Sequence, residues 1–416
     1  MSSLPLKPLL PGTLVQGQPA TLGVMGGGQL GRMWAQAAQR MGYATAVLDP
    51  DAQSPAGLIS HHAITTTYDD PAGLAQLAQL SHAITTEFEN VPAAALEQLA
   101  RQRPVAPTAA SVAVAQDRIE EKAHFQRCLD AKGVPVKVAP YASIQNTEDL
   151  QAVPLGLFPG ILKTARMGYD GKGQVRVANP AELQAAWAQL KHVPCVLEQL
   201  LPLVAECSVL VARGADGNCV HFPVQRNLHR NGILAMTEIY PGNVPADLAQ
   251  QAVAATRHIA QGLNYVGVLC VEFFVLDAAS PQAQGLGRLV VNEMAPRPHN
   301  SGHYTLDACD QSQFDLQVRT MAGLPLTVPR LHSAAIMLNL LGDLWLAHAG
   351  MPPWDAVLAL PGTHLHLYGK TQARAGRKMG HLNITSATPQ EARAVALQVS
   401  ALLGLPLDFD VDSKPL

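Results

Sequence analysis

The sequence contains few charged side chains and no long uninterrupted run of apolar residues. Only 15% of its 416 residues are charged, against about 25% in a typical soluble protein. The 29 basic and 32 acidic side chains give a net charge of −3 and form no basic stripe, which argues against a broad nucleic-acid surface. The best apolar stretch, residues 334–347, is broken by Asn339 and Asp343, so we expect no transmembrane helix and no membrane partner.

Cysteine is scarce and widely spaced. The absence of any CxxC pair argues against a zinc knuckle and against a compact disulfide scaffold. Cys270 lies in the apolar run 266–275 and is most simply a small buried hydrophobic residue. Pro5, Pro8 and Pro11 interrupt any apolar segment near the N-terminus, so we expect no signal peptide. These features predict a protein of the reducing cytoplasm. The six cysteines are Cys128, Cys195, Cys207, Cys219, Cys270 and Cys309.

Material for hydrophobic cores is plentiful, since 48% of the residues are hydrophobic. At roughly 100 to 200 residues per domain, the length predicts two to four domains. Residues 1–20 are aperiodic and indicate an extension. The pattern then becomes strand 21–25, a glycine turn, helix 32–41 and strand 44–48, which is a βαβ unit with a parallel sheet. The same region continues with strand 82–86, helix 93–101 and one long helix over 111–131.

A different pattern follows after Gly133. Long strand-like runs over residues 160–293, with helices at 181–190 and 246–262, predict an α+β region with antiparallel strands. A third region, from about residue 320, has strands at 334–340 and 364–368 and a helix at 389–403. The predicted fold class is therefore mixed: a Rossmann-like α/β part, an α+β part and a small C-terminal part.

The first motif is Gly26-x-Gly28-x-x-Gly31, between a strand and a helix. With Asp49 after the second strand, it satisfies the dinucleotide-binding pattern. The same turn also suits another phosphorylated ligand, because the helix N-terminus offers N–H groups to a phosphate. A third interpretation is purely structural, since a tight strand-to-helix turn needs glycine for steric reasons. Of these three interpretations, we favour a phosphorylated ligand other than a dinucleotide.

The second motif is a lysine at the end of a strand, Lys163, followed by a glycine-rich loop over 168–174. Such a loop can close over a triphosphate while the ammonium interacts with it as a point charge. The sequence lacks GxxxxGK[ST], which excludes a P-loop. A flexible hairpin with solvated lysines is the alternative.

The third motif is a pair of carboxylates inside apolar strands. Glu272 and Glu293 lie in runs joined by residues 277–287, which predicts a hairpin. A glutamate in such a run is costly unless it is paired or binds a metal. With Asn292 beside one of them, the pair suits an Mg²⁺ site made of oxygen ligands. A buried ion pair is the alternative.

Two loops concentrate polar donors. The segment 295–303 follows the second carboxylate strand, where substrate sites tend to lie. The segment 376–381 places Arg377 and Lys378 between glycines as a compact anion site, with a solvated turn as the alternative. The histidine pairs His61-His62 and His364-x-His366 have no further metal ligands at suitable spacing, so we interpret them as surface and strand histidines.

Several of these motifs, in this order, match one known group. The sequence contains GGGQLGRM (26–33), TEFENVP (86–92), QDR (116–118), GYDGKGQ (168–174), EQ (198–199), NLH (227–229), NEMAPRPHNSGH (292–303) and GRKMGHLN (376–383). In these segments the chain resembles the ATP-grasp superfamily and, within it, the 5-(carboxyamino)imidazole ribonucleotide synthases. The match runs from about residue 21 to the C-terminus. It departs from the family in the 20-residue extension and in an insertion over 277–287.

The resemblance implies ATP and Mg²⁺ as cofactors and assigns residues to each. Glu272 and Glu293 match the metal carboxylates. Glu198 to Leu201 match the segment that contacts adenine, and Glu206 matches a ribose ligand. The implied ATP contacts are Arg118, Lys163, Gly168, Tyr169, Asp170, Gly171, Lys172, Gly173, Gln174, Glu198, Gln199, Leu200, Leu201, Glu206, His229, Asn292 and Glu293.

The implied substrates are bicarbonate and 5-aminoimidazole ribonucleotide. ATP would convert bicarbonate to carboxyphosphate, which yields CO₂ for the exocyclic amine. The resemblance further implies a homodimer and a domain order of extension (1–20), N-terminal substrate domain (21–118), ATP-grasp domain (119–319) and C-terminal domain (320–416). The implied substrate-binding residues are Gln29, Leu30, Glu87, Arg297, Arg377 and Lys378, and the implied catalytic residues are Tyr169, Asp170, Lys172 and Lys378.

Three other functions stay open at this point. The sister formate-dependent glycinamide ribonucleotide transformylases, or another ATP-grasp carboxylate ligase, share the ATP half. An NAD-dependent oxidoreductase is suggested by the first glycine turn and Asp49 alone. A nucleotide-binding module without catalysis would bind ATP but not hydrolyse it.

Overall fold

A computed structural model of the chain describes residues 8–130, 133–168, 172–407 and 409. These residues form a four-stranded parallel sheet, a four-stranded antiparallel sheet, a ten-stranded mostly antiparallel sheet and a two-stranded hairpin. The mixed fold class predicted from the sequence is confirmed. The predictions for Tyr169, Asp170 and Gly171 lie outside the described residues.

The N-terminal region is built around a four-stranded parallel sheet of order β5-β4-β3-β6. The predicted βαβ unit is confirmed, because β3 and β4 pair in parallel and α1 connects them. The glycine turn lies where it was predicted, whereas α1 begins at Gln29 and not at the predicted Arg32. The elements are β1 (Leu14–Val15), β2 (Gln18–Pro19), β3 (Thr21–Met25), α1 (Gln29–Arg40), β4 (Ala44–Asp49), β5 (His62–Thr65), α2 (Pro71–Leu80), β6 (Ala83–Thr86), α3 (Ala93–Ala100) and α4 (Ala109–Ala115).

The described part of the extension is more ordered than its aperiodic sequence predicts. Strands β1 and β2 form a short antiparallel hairpin. The Leu9 N–H donates to the Ala322 carbonyl at 2.8 Å, and the Tyr43 hydroxyl donates to the Leu9 carbonyl. These bonds attach the backbone of the extension to residues near α1 and after α11. Because they involve backbone atoms, no pattern of hydrophobic side chains could predict them.

The single long helix predicted over 111–131 is wrong, because two helices occupy this segment. Helix α4 ends at Ala115, and α5 (Arg118–Asp130) begins after a break. The Gln116 side chain donates to the carbonyls of Glu89 and Val91, and the Asp117 carboxylate accepts from the Ile119 N–H. Asp117 is therefore the residue that starts the second helix.

The next region forms a four-stranded antiparallel sheet of order β10-β9-β11-β8, which we call the small sheet. Helix α7 packs on β9 and β10, and Leu162, Leu183, Trp187 and Leu197 form its core. The prediction of antiparallel strands here is confirmed. The elements are β7 (Lys137–Val138), β8 (Tyr141–Ile144), α6 (Thr147–Gln151), β9 (Gly160–Thr164), β10 (Gln174–Val177), α7 (Pro180–Gln189) and β11 (Cys195–Gln199).

The chain then enters a ten-stranded sheet, which we call the large sheet. One face of β12 and β16 packs on α5 and α8 through a continuous apolar core that includes Val209, Ile259, Val271 and Phe273. The opposite face carries a second apolar core, which includes Leu210, Val268 and Cys270, together with polar side chains such as Ser208 and Glu272. The elements are β12 (Leu203–Arg213), β13 (Cys219–His221), β14 (Gln225–Arg230), β15 (Ile233–Ile239), α8 (Ala246–Gly262), β16 (Gly267–Leu276), α9 (Pro281–Leu286), β17 (Leu289–Ala295), α10 (Thr305–Ala308) and α11 (Gln313–Met321).

The C-terminal strands continue the same large sheet, because β18 pairs with β15. The order is β19-β20-β18-β15-β14-β12-β16-β17-β7, with β13 beside β12. Helix α14 covers β18 and β20 through Ala396, Val399 and Leu403. No helix among the described residues is long and apolar enough to cross a membrane. The elements are β18 (Ala334–Leu341), α12 (Gly342–Ala347), α13 (Trp354–Leu358), β19 (Thr363–Leu367), β20 (Lys378–Ser386) and α14 (Pro389–Leu403).

Candidate active site

The two predicted metal carboxylates lie directly opposite each other. Glu272 on β16 pairs with Glu293 on β17, and the register shifts immediately after this pair, with Phe273 opposite Val291. Asn292 is therefore the extra residue of a β-bulge. Bulges re-aim side chains beside active sites, and two similar shifts lie next to His229 on β14 and Lys378 on β20. The predicted pairing of the two strands is confirmed, with α9 in the connection.

Cationic side chains surround the carboxylate pair. Glu272 Oε1 lies 3.0 Å from His299 Nε2, and Glu272 Oε2 lies 3.9 Å from His229 Nε2. Arg118 donates to Glu293 Oε2 at 2.9 Å. Burial alone would raise the pKa of Glu272, but His299, His229 and Lys378 lower it to about 2. Glu272 is therefore ionised across the physiological range.

The same residues offer oxygen ligands to a hard cation. The Asn292 Oδ1 atom is buried and has no hydrogen-bond donor among the described residues. A buried polar atom without a partner is costly, and it lies beside Glu293. Glu206, His229 and Glu272 also bring one ligand atom each within 4.8 Å of one another. Carboxylate and amide oxygens are the ligands that Mg²⁺ prefers, so the donor set fits this ion.

A second buried carboxylate, Glu198, lies between two lysines, among the residues that the resemblance assigned to ATP. Glu198 on β11 is 3.1 Å from Lys163 Nζ through one oxygen and 3.1 Å from Lys122 Nζ through the other. Burial raises the pKa of Glu198, but Lys122, Lys163 and Arg118 override this effect and hold it at about 2. The sequence analysis missed Lys122, because a lysine in a polar helix is usually solvated; here its side chain is 0% exposed.

Gln199, Leu200 and Leu201 connect the small sheet to the large sheet. The Gln199 N–H donates to the Pro140 carbonyl and the Leu200 N–H donates to the Pro159 carbonyl, both at 2.9 Å. The Leu201 side chain is buried, and its N–H has no acceptor among the described residues. This crossover thus presents a backbone donor between the two sheets, where the resemblance predicted the contact with adenine.

The base of the glycine-rich loop lies above Lys163. Gln174 on β10 pairs with Lys163 on β9. Gly173 has a φ of +72°, and a side chain there would meet Thr164 Oγ1 at 2.7 Å, so both conformation and space require glycine. A Cβ on Gly168 would lie 3.8 Å from the Arg118 guanidinium. The loop therefore starts beside Arg118 and ends beside Lys163, and Lys172 lies in its second half.

The first glycine turn is closed by acidic side chains of its own domain. The Gly28 and Gly31 N–H groups donate to the Glu87 carboxylate at 2.8 and 3.2 Å, and the Gly27 N–H donates to Asp49 at 2.6 Å. These three N–H groups are therefore already used within the domain and are not available to the pyrophosphate of a dinucleotide. The structure therefore favours the other interpretations of the motif, and burial raises the pKa of Glu87.

The remaining predicted substrate residues lie around α1 and β20. Lys370 Nζ donates both to Gln29 Oε1 and to the Lys378 carbonyl at 2.8 Å, which joins the N-terminal and C-terminal regions. Leu30 is buried in the core of the N-terminal region, so only its backbone can reach a ligand. Arg377 donates to the Gln372 carbonyl at 2.7 Å. Lys370 is a second residue that sequence reasoning missed.

The loop after β17 connects the two sides of the site. Arg297 is partly buried and donates to Glu89 at 2.5 Å, and its charge lowers the pKa of Glu87 against the larger effect of burial. The Asn300 amide is buried, and neither its oxygen nor its nitrogen has a partner among the described residues. The loop therefore holds a buried amide without a partner next to His299, the residue that contacts Glu272.

Three family models match successive parts of the chain. They are described as a ribonucleotide synthetase preATP-grasp domain, over residues 19–116, an ATP-grasp domain, over 129–314, and a phosphoribosylaminoimidazole carboxylase C-terminal domain, over 335–395. The ATP-grasp fold expected from the sequence motifs is confirmed.

Characterised relatives agree with the family models. The chain is 44% identical over 367 residues to an N5-carboxyaminoimidazole ribonucleotide synthase of Brucella melitensis, across 87% of this chain and 95% of the relative. A Staphylococcus aureus N5-carboxyaminoimidazole synthetase structure with ADP has a TM-score of 0.81 and 36% identity over 93% of this chain and 97% of that one. An Aspergillus clavatus N5-carboxyaminoimidazole synthase, in complex with ADP and 5-aminoimidazole ribonucleotide, has a TM-score of 0.81 and 29% identity over 93% and 99%. The chain therefore belongs to the N5-carboxyaminoimidazole ribonucleotide synthase family of ATP-grasp ligases.

Proposed function

We propose that the chain is an ATP-dependent ligase that carboxylates the exocyclic amine of 5-aminoimidazole ribonucleotide with bicarbonate. The products are N5-carboxyaminoimidazole ribonucleotide, ADP and phosphate, within purine biosynthesis. The names of the relatives in Brucella and Aspergillus support the reaction and the ribonucleotide substrate.

One observation carries the proposal: Glu272 is shared by both sides of the site. It contacts His229 on the ATP side and His299 in the loop after β17, and it interacts electrostatically with Lys378 on the ribonucleotide side. A ligase of this kind needs its phosphoryl donor and its amine acceptor beside one another, because the activated carbonate must pass between them. The site thus lies where the three proposed domains, 21–118, 119–319 and 320–416, meet.

On the ATP side, the proposed contacts are the crossover from Glu198 to Leu201, Glu206 for the ribose, and Lys163 with the glycine-rich loop for the phosphates. Arg118, His229, Asn292 and Glu293 complete the set. Glu272, Glu293 and Asn292 would hold Mg²⁺, which when bound neutralises charge on the phosphates. Lys163 and the loop N–H groups stabilise the charge on the transferring phosphoryl group.

The reaction follows from these placements. A bicarbonate oxygen attacks the γ-phosphorus, the bond to the bridging oxygen breaks, and ADP leaves with the electron pair. The carboxyphosphate then loses phosphate through C–O cleavage and releases CO₂. The exocyclic amine attacks CO₂ and loses a proton. The unpartnered Asn300 amide, with Arg297 and His299, supports the loop after β17 as the place that holds the small oxyanion.

On the ribonucleotide side, the N-terminus of α1 supplies the N–H groups of Gln29 and Leu30 for the phosphate, since neither has an acceptor within the described chain. Arg377 and Lys378 add positive charge, and Glu87 and Arg297 contact the remaining polar groups. Tyr169, Asp170 and Lys172 stay predictions as residues that orient the amine or move its proton.

A homodimer is also proposed. The side chains of Leu346, Met351 and Leu358 are 61%, 77% and 53% exposed around α12 and α13. An exposed apolar group of this kind is a surface that a second copy could cover. Sedimentation equilibrium should give twice the monomer mass; a monomer at micromolar concentration would contradict the proposal.

The activity is tested by phosphate release from ATP with Mg²⁺. Release should require both bicarbonate and 5-aminoimidazole ribonucleotide, and omission of either should reduce it to background. Turnover that does not change without the ribonucleotide would contradict the substrate. Turnover with formate and glycinamide ribonucleotide instead would identify the sister transformylase reaction.

A further inference from the structure

A mixed group of metal-ligating side chains lies on the far side of Glu272 from His229. Cys270, Glu272 and His299 bring Sγ, a carboxylate oxygen and a ring nitrogen within 4.8 Å of one another. The carboxylate oxygen that faces His299 is Oε1, whereas Oε2 faces His229. Glu272 therefore divides its two oxygens between the proposed Mg²⁺ site and this second group.

The geometry of the strand explains why the thiol is here. Residues 270 and 272 of β16 are two positions apart, so their side chains project from the same face of the large sheet. On this face Cys270 packs in a second apolar core that includes Leu210 and Val268, whereas Glu272 lies opposite Ser208. Cys270 is fully buried, but Glu272 and His299 retain 9% and 16% of their side-chain exposure. An ion can therefore approach from the side of the carboxylate and the imidazole.

Hydrogen bonds fix the orientation of the histidine ring. His299 Nδ1 accepts from the Ser301 N–H at 3.3 Å and lies 2.9 Å from Ser301 Oγ. The other ring nitrogen, Nε2, lies 3.0 Å from Glu272 Oε1, so a metal that binds Nε2 displaces the proton between these two atoms. The ring therefore presents Nε2 on the same side as the carboxylate.

The donor set differs in kind from the proposed Mg²⁺ site. Mg²⁺ takes hard oxygen ligands, whereas a thiolate with an imidazole and a carboxylate favours Zn²⁺ and similar ions. With zinc–ligand bonds of about 2.0 to 2.3 Å, two ligand atoms of one ion lie closer together than 4.8 Å, the largest separation allowed among the three atoms here. One coordination position would remain for water.

We propose that Cys270, Glu272 and His299 bind a thiophilic divalent cation of the Zn²⁺ class, and that this binding inhibits the enzyme. Binding forms a metal–sulfur bond and releases the thiol proton, and any proton on His299 Nε2, to the solvent. It also takes Glu272 Oε1, so the proposed Mg²⁺ site loses the free use of a carboxylate. The inhibition rests on the proposed function; the binding does not.

The binding is tested with Co²⁺, which reports sulfur ligation by a charge-transfer band in the near ultraviolet. The wild-type protein should show this band, and Cys270→Ala should lose it. Cys128→Ala is the matched control, since Cys128 Sγ lies 3.4 Å from His124 Nε2 but belongs to no three-ligand group among the described residues; it should keep the band. A wild-type protein without the band, or a band lost only in the Cys128 variant, would overturn the site.

The inhibition is tested by Zn²⁺ titration of phosphate release at saturating Mg²⁺. Cys270→Ala should keep its basal turnover and raise the half-inhibitory Zn²⁺ concentration by about 10- to 100-fold, the loss in affinity that follows even from removal of an outer contact. Equal inhibition of both proteins would place Zn²⁺ at Glu206 and His229 and overturn the proposal. Cys270→Ser replaces the alanine variant if that does not fold. A protein with the Co²⁺ band but no ribonucleotide-dependent turnover would refute the proposed function alone.

Discussion

The ATP side and the ribonucleotide side of the site are built in different ways. On the proposed ATP side, opposite charges contact each other directly, between neighbouring strands in Lys163 with Glu198 and between helix α5 and strand β17 in Arg118 with Glu293. On the ribonucleotide side, residues far apart in the chain meet through single hydrogen bonds, and Lys370 joins Gln29 to the Lys378 carbonyl. The first side is formed mainly by the large and small sheets, whereas the second exists only when three regions meet.

The electrostatics of the two sides differ as well. Burial would raise the pKa of Glu198 and Glu272, but neighbouring cations hold both at about 2. Burial raises the pKa of Glu87, which the glycine-turn N–H groups and Arg297 only partly offset. Carboxylates that stay ionised suit a site for Mg²⁺ and phosphates. Ion pairs within the chain therefore hold the proposed ATP side together, whereas the proposed ribonucleotide side depends on how the domains are joined.

Removal of the buried ammonium of Lys122 should have the largest effect on the ion pairs that distinguish the two sides. Lys122→Met should lower the free energy of unfolding by about 3 to 5 kcal/mol, because it leaves Glu198 buried with one cation fewer. Urea titration measures this change. Lys137→Met is the matched control, since its pair with Asp130 is 3.9 Å long and half exposed; it should cost less than about 1 kcal/mol. Equal losses in the two variants would contradict the account.

The second largest effect is expected at the carboxylate pair. Glu293→Gln should lower kcat by about 10²- to 10³-fold with little change in the melting temperature, since it removes a charge that acts on the phosphoryl transition state. Steady-state kinetics at saturating ATP provide the measurement. The exposed Glu120 on α5 is the control, and Glu120→Gln should keep full turnover. Retained activity in the Glu293 variant would exclude this residue from the metal site.

The pH dependence of stability should distinguish the ionised carboxylates from Glu87. The folded pKa of Glu198 is about 2 against an ordinary value of 4.5, so the unfolded chain binds more protons between these values. The stabilisation, at most about 3 kcal/mol, is complete above pH 4.5 and is lost as the pH falls towards 2. Unfolding free energies of the wild type and Glu198→Gln should therefore converge in acid. A difference that stays constant with pH would refute the pKa assignment.

The smallest effect concerns the ribonucleotide side. Lys378→Ala should raise the KM for the ribonucleotide by about 10- to 100-fold, the value of one charge-assisted hydrogen bond, and should change the KM for ATP little. Lys163→Ala should give the reverse pattern. Initial-rate kinetics with each substrate varied in turn measure both constants. A larger change for ATP in the Lys378 variant would move this residue to the ATP side.

Much of the ATP side could be predicted from the sequence because its signals are local. Helix α8 has the predicted bounds, and the apolar runs around Glu272 and Glu293 indicated their pairing. Lys122 could not be predicted as a partner of Glu198, because nothing in the sequence of α5 distinguishes this buried lysine from a solvated one. The hairpin of β14 and β15 was missed, although Asn231-Gly232 is a strong turn signal.

The ribonucleotide side was less accessible from the sequence for a physical reason. Gln29, Lys370 and Lys378 are joined by hydrogen bonds across as many as 341 residues, and no periodicity reports such a contact. Strand β20 was also missed, since its side chains are buried on both faces and therefore do not alternate. Only the family resemblance connected these residues with a substrate.

The transfer of oxygen from bicarbonate to phosphate tests the central claim most directly. Oxygen-18-labelled bicarbonate is incubated with ATP, Mg²⁺ and 5-aminoimidazole ribonucleotide, and the released phosphate is analysed by mass spectrometry. If bicarbonate attacks the γ-phosphorus and carboxyphosphate then breaks at its C–O bond, each phosphate should carry one labelled oxygen. Phosphate without the label would show that water attacks ATP instead and would contradict the proposed coupling of the two sides.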